Sequence, residues 1–575
     1  MLGGRGTRRA GWLVAAACAT GALTAAPAAA ATEQLGVTAS DGVRLQATLT
    51  SDGPVAPRPT IVEFSPYGRS NVTYERPPGF NGLLVQLRGT GDSDGRFDIM
   101  AARTQRDVVE VLRWACEQPW SAGRIGINGF SASAITIYNA LHQKLPDCVR
   151  TIVLGSGTHE LYRDLLVPGG VNNIVPGAAV LAGIGGIAVA QGTDRLARNP
   201  GSALDVLGGL LTSGVGDLLH PTLDAWWRER GWRGNANRLP MLLTDGFFDV
   251  ESRGAFQGFQ ALKADGAHLV VAGAHDGVPK GLGLRDETMR RWFEHYVAGV
   301  DNGVDREPRV RLALADGDRQ RYLAGRYVRR DAEDWPVPGT RWQALRLDAA
   351  HRGRGASAND GALTTGTPRI GGRQSYVTLP SLLTATDVPN AAIAGAAGLD
   401  RLTEHVPLLS QTNLAGALGL TYTTRWLRED VVVAGPATLE VRLASTLPET
   451  AIWAVVSDVW PDGSAHPVGM GRLSTRYPEV DPERSLRDAD GTIVQPYGRY
   501  DRPVDTPPGT ERTYRVELWP IGNVFRRGHQ LRLHLVGSSL ASLPSLPAVN
   551  TVDVARSRLL VPVLPPGDLG RALPD

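Results

Sequence analysis

Arg124-Ile-Gly-Ile-Asn-Gly129-Phe130-Ser131-Ala132-Ser133 is the stretch on which the fold turns. An isoleucine-rich run ends in Gly-x-Ser and passes into Ala134 to Leu145, which reads as a helix. A strand that turns into a helix at a serine flanked by small residues is the setting of a nucleophile elbow. The backbone approaches closely there, and the strained turn lifts the hydroxyl above the sheet. The usual pattern is Gly-x-Ser-x-Gly, whereas position 133 is Ser. The same residues also suit an ordinary strand-to-helix turn with Ser131 as N-cap.

Working outward, short apolar runs alternate with helical patterns from Leu35 to Gly157, the signature of βαβ units and a mostly parallel sheet. Thr60–Phe64, Leu83–Gln86, Arg124–Asn128 and Val149–Leu154 are the expected strands. Val108, Val109, Leu112 and Ala115 mark a helix over Arg103–Glu117. Residues 158–238, rich in Gly, Ala and Leu, break the alternation and read as a helical cap inserted over the sheet, with a helix at Ser202–Leu211. The sheet resumes with Met241–Thr244 and Leu269–Ala272, and a helix over Asp286–Val297 closes it. From residue 308 onward, β-branched and aromatic runs between Gly, Pro and Asp turns predict a separate β-sandwich. Its strands include Leu420–Thr424, Leu439–Ala444, Ile452–Trp460, Tyr514–Trp519 and Gln530–Val536, with Pro461-Asp462-Gly463 as a turn. Leu531, Leu533 and Leu535 alternate with Arg532 and His534. The expected division is thus 1–31 leader, 32–157 and 239–307 α/β core, 158–238 cap, and 308–575 β-domain.

Two residues further along give Ser131 its chemical reading. Asp249 follows the strand Met241–Thr244, and His275 follows Leu269–Ala272 within Gly273-Ala-His275-Asp-Gly277. Ser, then Asp, then His, each just past the carboxyl end of a strand, is the order of an α/β-hydrolase triad. A serine hydroxyl holds its proton too tightly to attack at neutral pH unless an imidazole removes it. His275 would be that base and Asp249 the group that orients it. Asp245 and Asp276 are competing acids, one at the strand end itself and the other adjoining His275. An oxyanion needs preorganised donors. The N–H of Ala132 and the hydroxyl of Tyr67, in Glu63-Phe-Ser-Pro-Tyr67-Gly, are the candidates.

Bulk properties limit the alternatives. A chain of 575 residues is too long for one core. A net charge of +2, with no basic stripe interleaved with aromatics, argues against nucleic acid as a partner. No CxxC, HExxH or similar spacing occurs, so neither a metal nor another cofactor is expected. Arg5, Arg8 and Arg9, the apolar run Trp12–Leu23 and Ala28-Ala29-Ala30 read as an export signal cut near Ala30 or Ala31. Thr7-Arg8-Arg9 before Trp12-Leu13 is consistent with the twin-arginine route. The run is short and broken for a membrane anchor, and Cys18 lacks the usual context for lipid attachment. The expected location is extracellular or in the cell envelope. Cleavage leaves Cys116 and Cys148, either bridged at the lower edge of the sheet or buried as free thiols.

The chain resembles the cocaine esterase/X-prolyl dipeptidyl-peptidase family, which also includes α-amino-acid ester hydrolases and glutaryl acylases. The resemblance rests on Ser65-Pro-Tyr67, Gln86-Leu-Arg88-Gly-Thr-Gly91-Asp-Ser93-Asp-Gly95-Arg-Phe97, Asp107 with Trp114, and Gln118-Pro-Trp120-Ser with Gly123-Arg-Ile-Gly126. Further matches are Gly246-Phe-Phe-Asp249, Trp292-Phe293 with His295-Tyr296, Asp301-Asn302-Gly303, and Asp458-Val with Pro461-Asp-Gly463. It implies an α/β-hydrolase domain with a helical cap and a C-terminal jelly roll of the galactose-binding type. It also implies a triad of Ser131, Asp249 and His275 with an oxyanion hole at Tyr67 and Ala132. Where this family usually has Tyr, Gly and a Trp near the histidine, this chain has Ala132, Ser133 and Gly273-Ala274. These departures alter the acyl pocket rather than the triad. Family members that bind free amines present carboxylates near the triad, a role open here to Glu160, Asp164 and Glu251; the alternative is that these are solvated cap and helix residues.

The expectation is an exported serine hydrolase that cleaves a small ester, amide or short peptide through an acyl-enzyme. An X-prolyl dipeptidyl-peptidase is the nearest rival. A catalytically inactive carbohydrate- or surface-binding protein is the rival from another class. A homo-oligomer is compatible with the sequence, and no membrane association is expected after signal removal.

Overall fold

The structure, a computed structural model, describes residues 30–70, 76–98, 100–173, 184–249, 251–272, 284–317, 321–322, 324–351, 359–378, 419–537 and 546–573. Its first sheet is built from β1 (Ala31–Thr38), β2 (Arg44–Ser51), β3 (Arg58–Ser65), β4 (Asn81–Gln86), β5 (Ser121–Phe130), β6 (Val149–Gly155), β7 (Met241–Asp245), β8 (His268–Val271), β9 (Val310–Ala315) and β10 (Tyr327–Ala332). The lateral order is β1-β2-β4-β3-β5-β6-β7-β8-β9-β10. From β4 to β9 every neighbour is parallel, and the antiparallel pairs lie at the two edges. Val62, Ile125, Ile127, Ile152, Val153, Leu242, Leu243, Leu269 and Val270 are fully buried, as a parallel sheet covered on both faces requires. Hydrogen bonding carries this sheet through β9 and β10, past residue 308 where the composition changes.

Helices α1 (Ala102–Cys116) and α2 (Ala132–Ala140) flank β5. The second begins two residues earlier than its sequence suggests and ends five residues sooner. Asn237 explains the early end: its side chain donates to the carbonyls of Leu141 and Gln143 and accepts from the N–H of Leu145, satisfying backbone that a longer helix would have paired. Cys116, at the end of α1, and Cys148, just before β6, form a disulfide with Cα atoms 6.1 Å apart. The two adjoin the starts of neighbouring parallel strands, so of the two sequence readings the bridge is the one the structure carries.

The insertion contributes α3 (Ser202–Gly214) and α4 (Ala225–Glu229). The chain returns through β7 to α5 (Ser252–Leu262), and α6 (Leu284–Phe293) follows β8. The helix expected over Asp286–Val297 widens after Phe293 into one looser turn, Glu294–Ala298, and stops at Gly299, whose φ of 81° is the left-handed conformation of a helix end.

The C-terminal domain is all β: β11 (Arg341–Asp348), β12 (Asn359–Thr364), β13 (Arg373–Thr378), β14 (Leu420–Thr423), β15 (Val431–Ser445), β16 (Ala451–Val459), β17 (Ala465–Ser474), β18 (Val480–Arg487), β19 (Ile493–Gly498), β20 (Arg512–Phe525), β21 (Gln530–Val536) and β22 (Ala548–Val563). Pairings run in a circuit, β11-β22-β15-β20-β17-β16-β21-β14-β12 and back to β11. Leu439, Val441, Val456, Val516, Leu533 and Val561 fill the interior. The alternation in β21 does not mark a wet face, since Arg532 and His534 are buried along with the leucines between β14 and β16. The two domains meet closely. The ring of Phe247 packs against Gly522, where a Cβ would stand 2.3 Å from it, and Arg526 pairs with Asp316 at the end of β9.

Candidate active site

The parallel order brings the carboxyl ends of β3, β5, β6 and β7 side by side. Strand β5 delivers Ser131 with φ 53° and ψ −127°, a conformation that costs an L-residue free energy and persists only where its surroundings enforce it. Gly129 allows the turn, because a Cβ there would lie 2.8 Å from the Cα of Ala134. The Ser131 N–H donates to the Gly155 carbonyl at 2.9 Å, and its own carbonyl accepts from Ile135 at 3.0 Å, opening α2. Its side chain makes no helix-capping bond. The side-chain cap that an N-cap reading of Gly-x-Ser expects is therefore not made, and the strained strand-to-helix turn has the geometry of an elbow.

Tyr67, just beyond β3, places its hydroxyl within hydrogen-bond reach of the Ser131 side chain and accepts the Ala132 N–H at 3.3 Å. Burial raises the phenol above its ordinary value, and the nearby carboxylates Glu251 and Glu63 add to the effect. A phenol held neutral keeps its proton available to donate. Glu63, below it on β3, is pushed up to about 8 by burial, with the Asn128 amide as its one opposing contact.

Asp249, beyond β7, is 1% exposed. Its Oδ2 accepts from the Ser156 hydroxyl at 2.8 Å and its Oδ1 from the Glu251 N–H at 3.0 Å. The competing acid Asp245 is buried beside it. Desolvation first, and then the charge of Asp249, raise Asp245 far above the carboxylate range. His275 and Asp276 lie outside the described residues.

The amine-binding candidates separate. Asp164 is fully buried and engaged by Arg253 and the Thr158 hydroxyl. Glu160 accepts from the Tyr497 hydroxyl at 2.5 Å and sits among Arg163, Arg253 and Arg484; against the cost of burial, the charges of Arg163, His159 and Arg253 hold it down at about 2. Neither is a solvated cap residue, and both are committed to arginines that tie the insertion to the β-domain through Glu517. Glu251, 1% exposed, is the carboxylate among the three whose charge reaches Tyr67. Beside Ala132, a small apolar cavity is lined by Pro66, Leu87, Phe97, Met100 and Ile184. Ser156 and Arg253 were not singled out by the sequence. A serine in a left-handed turn carries no pattern of its own, and the partners of Arg253 lie 89 and 264 residues away.

A strained serine at a strand-to-helix turn, a tyrosine hydroxyl and an amide N–H beside it, and a buried aspartate two strands over form an arrangement of the serine hydrolase type. Comparison with known proteins places the chain within that class. Residues 41–277 match the X-Pro dipeptidyl-peptidase (S15 family), and residues 302–558 match the X-Pro dipeptidyl-peptidase C-terminal non-catalytic domain. The chain belongs to the cocaine esterase/X-Pro dipeptidyl-peptidase family of serine hydrolases. It is 23% identical over 559 residues to the cocaine esterase of Rhodococcus sp. (strain MB1 Bresler), covering 87% of this chain and 89% of that one. Its fold is similar to a CocE/NonD family hydrolase from Staphylococcus aureus, with a TM-score of 0.72, 17% identity and 93% of each chain covered. An α-amino acid ester hydrolase aligns with a TM-score of 0.68 at 16% identity, over 95% of this chain and all of the other.

Proposed function

We propose that this protein cleaves a small ester or amide through an acyl-enzyme on Ser131. The observation that carries the reading is the strained, uncapped Ser131, its hydroxyl beside Tyr67 and its neighbour's N–H aimed at the same point. The sheet order β1-β2-β4-β3-β5-β6-β7-β8 supports an α/β-hydrolase core, and the closed strand circuit of the second domain supports a jelly roll. His275 removes the Ser131 proton as Oγ attacks the acyl carbon, and the oxyanion takes the Tyr67 O–H and Ala132 N–H. His275 then protonates the leaving alcohol or amine. Water, deprotonated by the same imidazole, attacks the acyl-enzyme, and as the tetrahedral adduct collapses Ser131 Oγ leaves with the proton returned by His275, freeing the acid. Asp249 keeps the imidazole in register and balances its charge.

The ester reading is favoured over the peptidase reading by the fate of the carboxylates. Two of the three that could hold a free amine are neutralised by buried arginines. Export through the amino-terminal segment is part of the proposal and is supported by the disulfide. A panel of p-nitrophenyl acetate and butyrate beside Ala-Pro p-nitroanilide tests the reading. Turnover of the esters with an initial burst equal to the enzyme concentration is expected. Faster cleavage of the anilide than of either ester would favour the peptidase.

A further inference from the structure

Two non-glycine residues with positive φ stand at the ends of adjacent parallel strands, and both are serines. Ser131 follows β5 at φ 53°, and Ser156 follows β6 at φ 44°. Backbone bonds stitch these strand ends together stepwise: Ser131 N–H to Gly155 O at 2.9 Å, Ser156 N–H to Thr244 O at 2.8 Å, and Ala272 N–H to Asp245 O at 2.7 Å. Ser156 thus sits between the strand of the nucleophile and the strand of the acid. Glycine would take that conformation with less strain. The serine brings a hydroxyl that is 1% exposed and donates to Asp249 Oδ2 at 2.8 Å.

We infer that Ser156 is a positioning residue, whose left-handed turn and buried hydroxyl fix the orientation of the Asp249 carboxylate for its work on the base. The inference rests on the reading of Asp249 as the acid of the triad. A carboxylate has rotational freedom about its last bond, and its two oxygens are interchangeable unless each is held. Here Oδ1 takes the Glu251 N–H and Oδ2 takes the Ser156 hydroxyl, so the plane of the group is set from two sides. The closely packed glycine after Ser156 holds the turn in place. A Cβ on Gly157 would lie 2.6 Å from the Ala134 side chain and 3.3 Å from the Ser131 carbonyl.

Three substitutions in the full-length protein separate the hydroxyl from the backbone. S156G relieves the positive φ and removes the donor. S156N tolerates the same backbone and offers an amide N–H in place of the hydroxyl. D249N tests the reading beneath. S156G is expected to melt no lower than the native protein while kcat for p-nitrophenyl acetate falls about tenfold with KM unchanged. S156N is expected to recover most of that loss. A kcat for S156G within about twofold of native, or an S156N no faster than S156G, overturns the inference. If D249N keeps native kcat, the failure belongs to the assignment of Asp249 instead.

Discussion

Replacing Tyr67 by Phe removes one oxygen and little else, which makes it a sharp probe of the oxyanion site. The ring is partly buried against the apolar cluster that includes Phe97, Met100 and Ile135, so the substitution leaves no cavity of consequence. The lost bond from the Ala132 N–H at 3.3 Å is worth about 1 kcal/mol to stability. The cost to catalysis is larger. A preorganised donor facing a developing oxyanion contributes about 2.7–4 kcal/mol, so kcat should fall about 100- to 1,000-fold with KM nearly unchanged. Because the phenol is raised above its ordinary value of 10.0, it stays protonated through neutral and mildly alkaline solution. The ratio of native to variant kcat should therefore be flat from about pH 7 to about pH 9. Steady-state hydrolysis of p-nitrophenyl acetate, with a thermal melt of both proteins, measures every term. A variant within about threefold of native kcat, or one whose deficit lies in KM, would refute the placement of Tyr67 in the hole.

Other perturbations follow from the same geometry. Glu63, neutral when folded with its titration near 8, binds a proton that the unfolded chain releases near 4.5, so its contribution is present in acid and lost as pH rises through about 8. The melting temperature should fall across that interval, and Glu63→Gln should flatten the fall and raise the melting point at about pH 8. Arg253→Ala strips the partner from buried Asp164 and from Glu517, and should cost about 3–5 kcal/mol in urea denaturation. Joint replacement of Cys116 and Cys148 by Ser opens a loop of 32 residues and should lower stability by about 2–4 kcal/mol, with native kcat retained below the melt. Edman sequencing of protein secreted by a bacterial host should begin near Ala31 or Thr32, at the start of β1.

What could be read beforehand was whatever depends on neighbours in the chain. The isoleucines of β5, the Gly-x-Ser turn and the placement of Asp249 past β7 are local patterns, and each lies where its pattern points. The position of Tyr67 after an early strand was legible for the same reason. What escaped depends on distant partners. That the Ser131 side chain makes no capping bond was not legible in Gly-x-Ser alone. Helix α2 stops at Ala140 because Asn237, almost a hundred positions later, takes its backbone bonds. Asp164 and Glu160 looked like surface acids until arginines from α5 and the insertion closed over them. Likewise the alternation of Arg532 and His534 with leucines in β21 gave no sign that both side chains are buried.

The central claim is that Ser131 is the nucleophile. Labelling the folded protein with a fluorophosphonate and mapping the adduct by peptide mass spectrometry tests it directly. The label should fall on the peptide containing Ser131, abolish ester hydrolysis in proportion to its incorporation, and disappear in a folded S131A variant. An adduct on another serine, or undiminished hydrolysis by S131A, would contradict it.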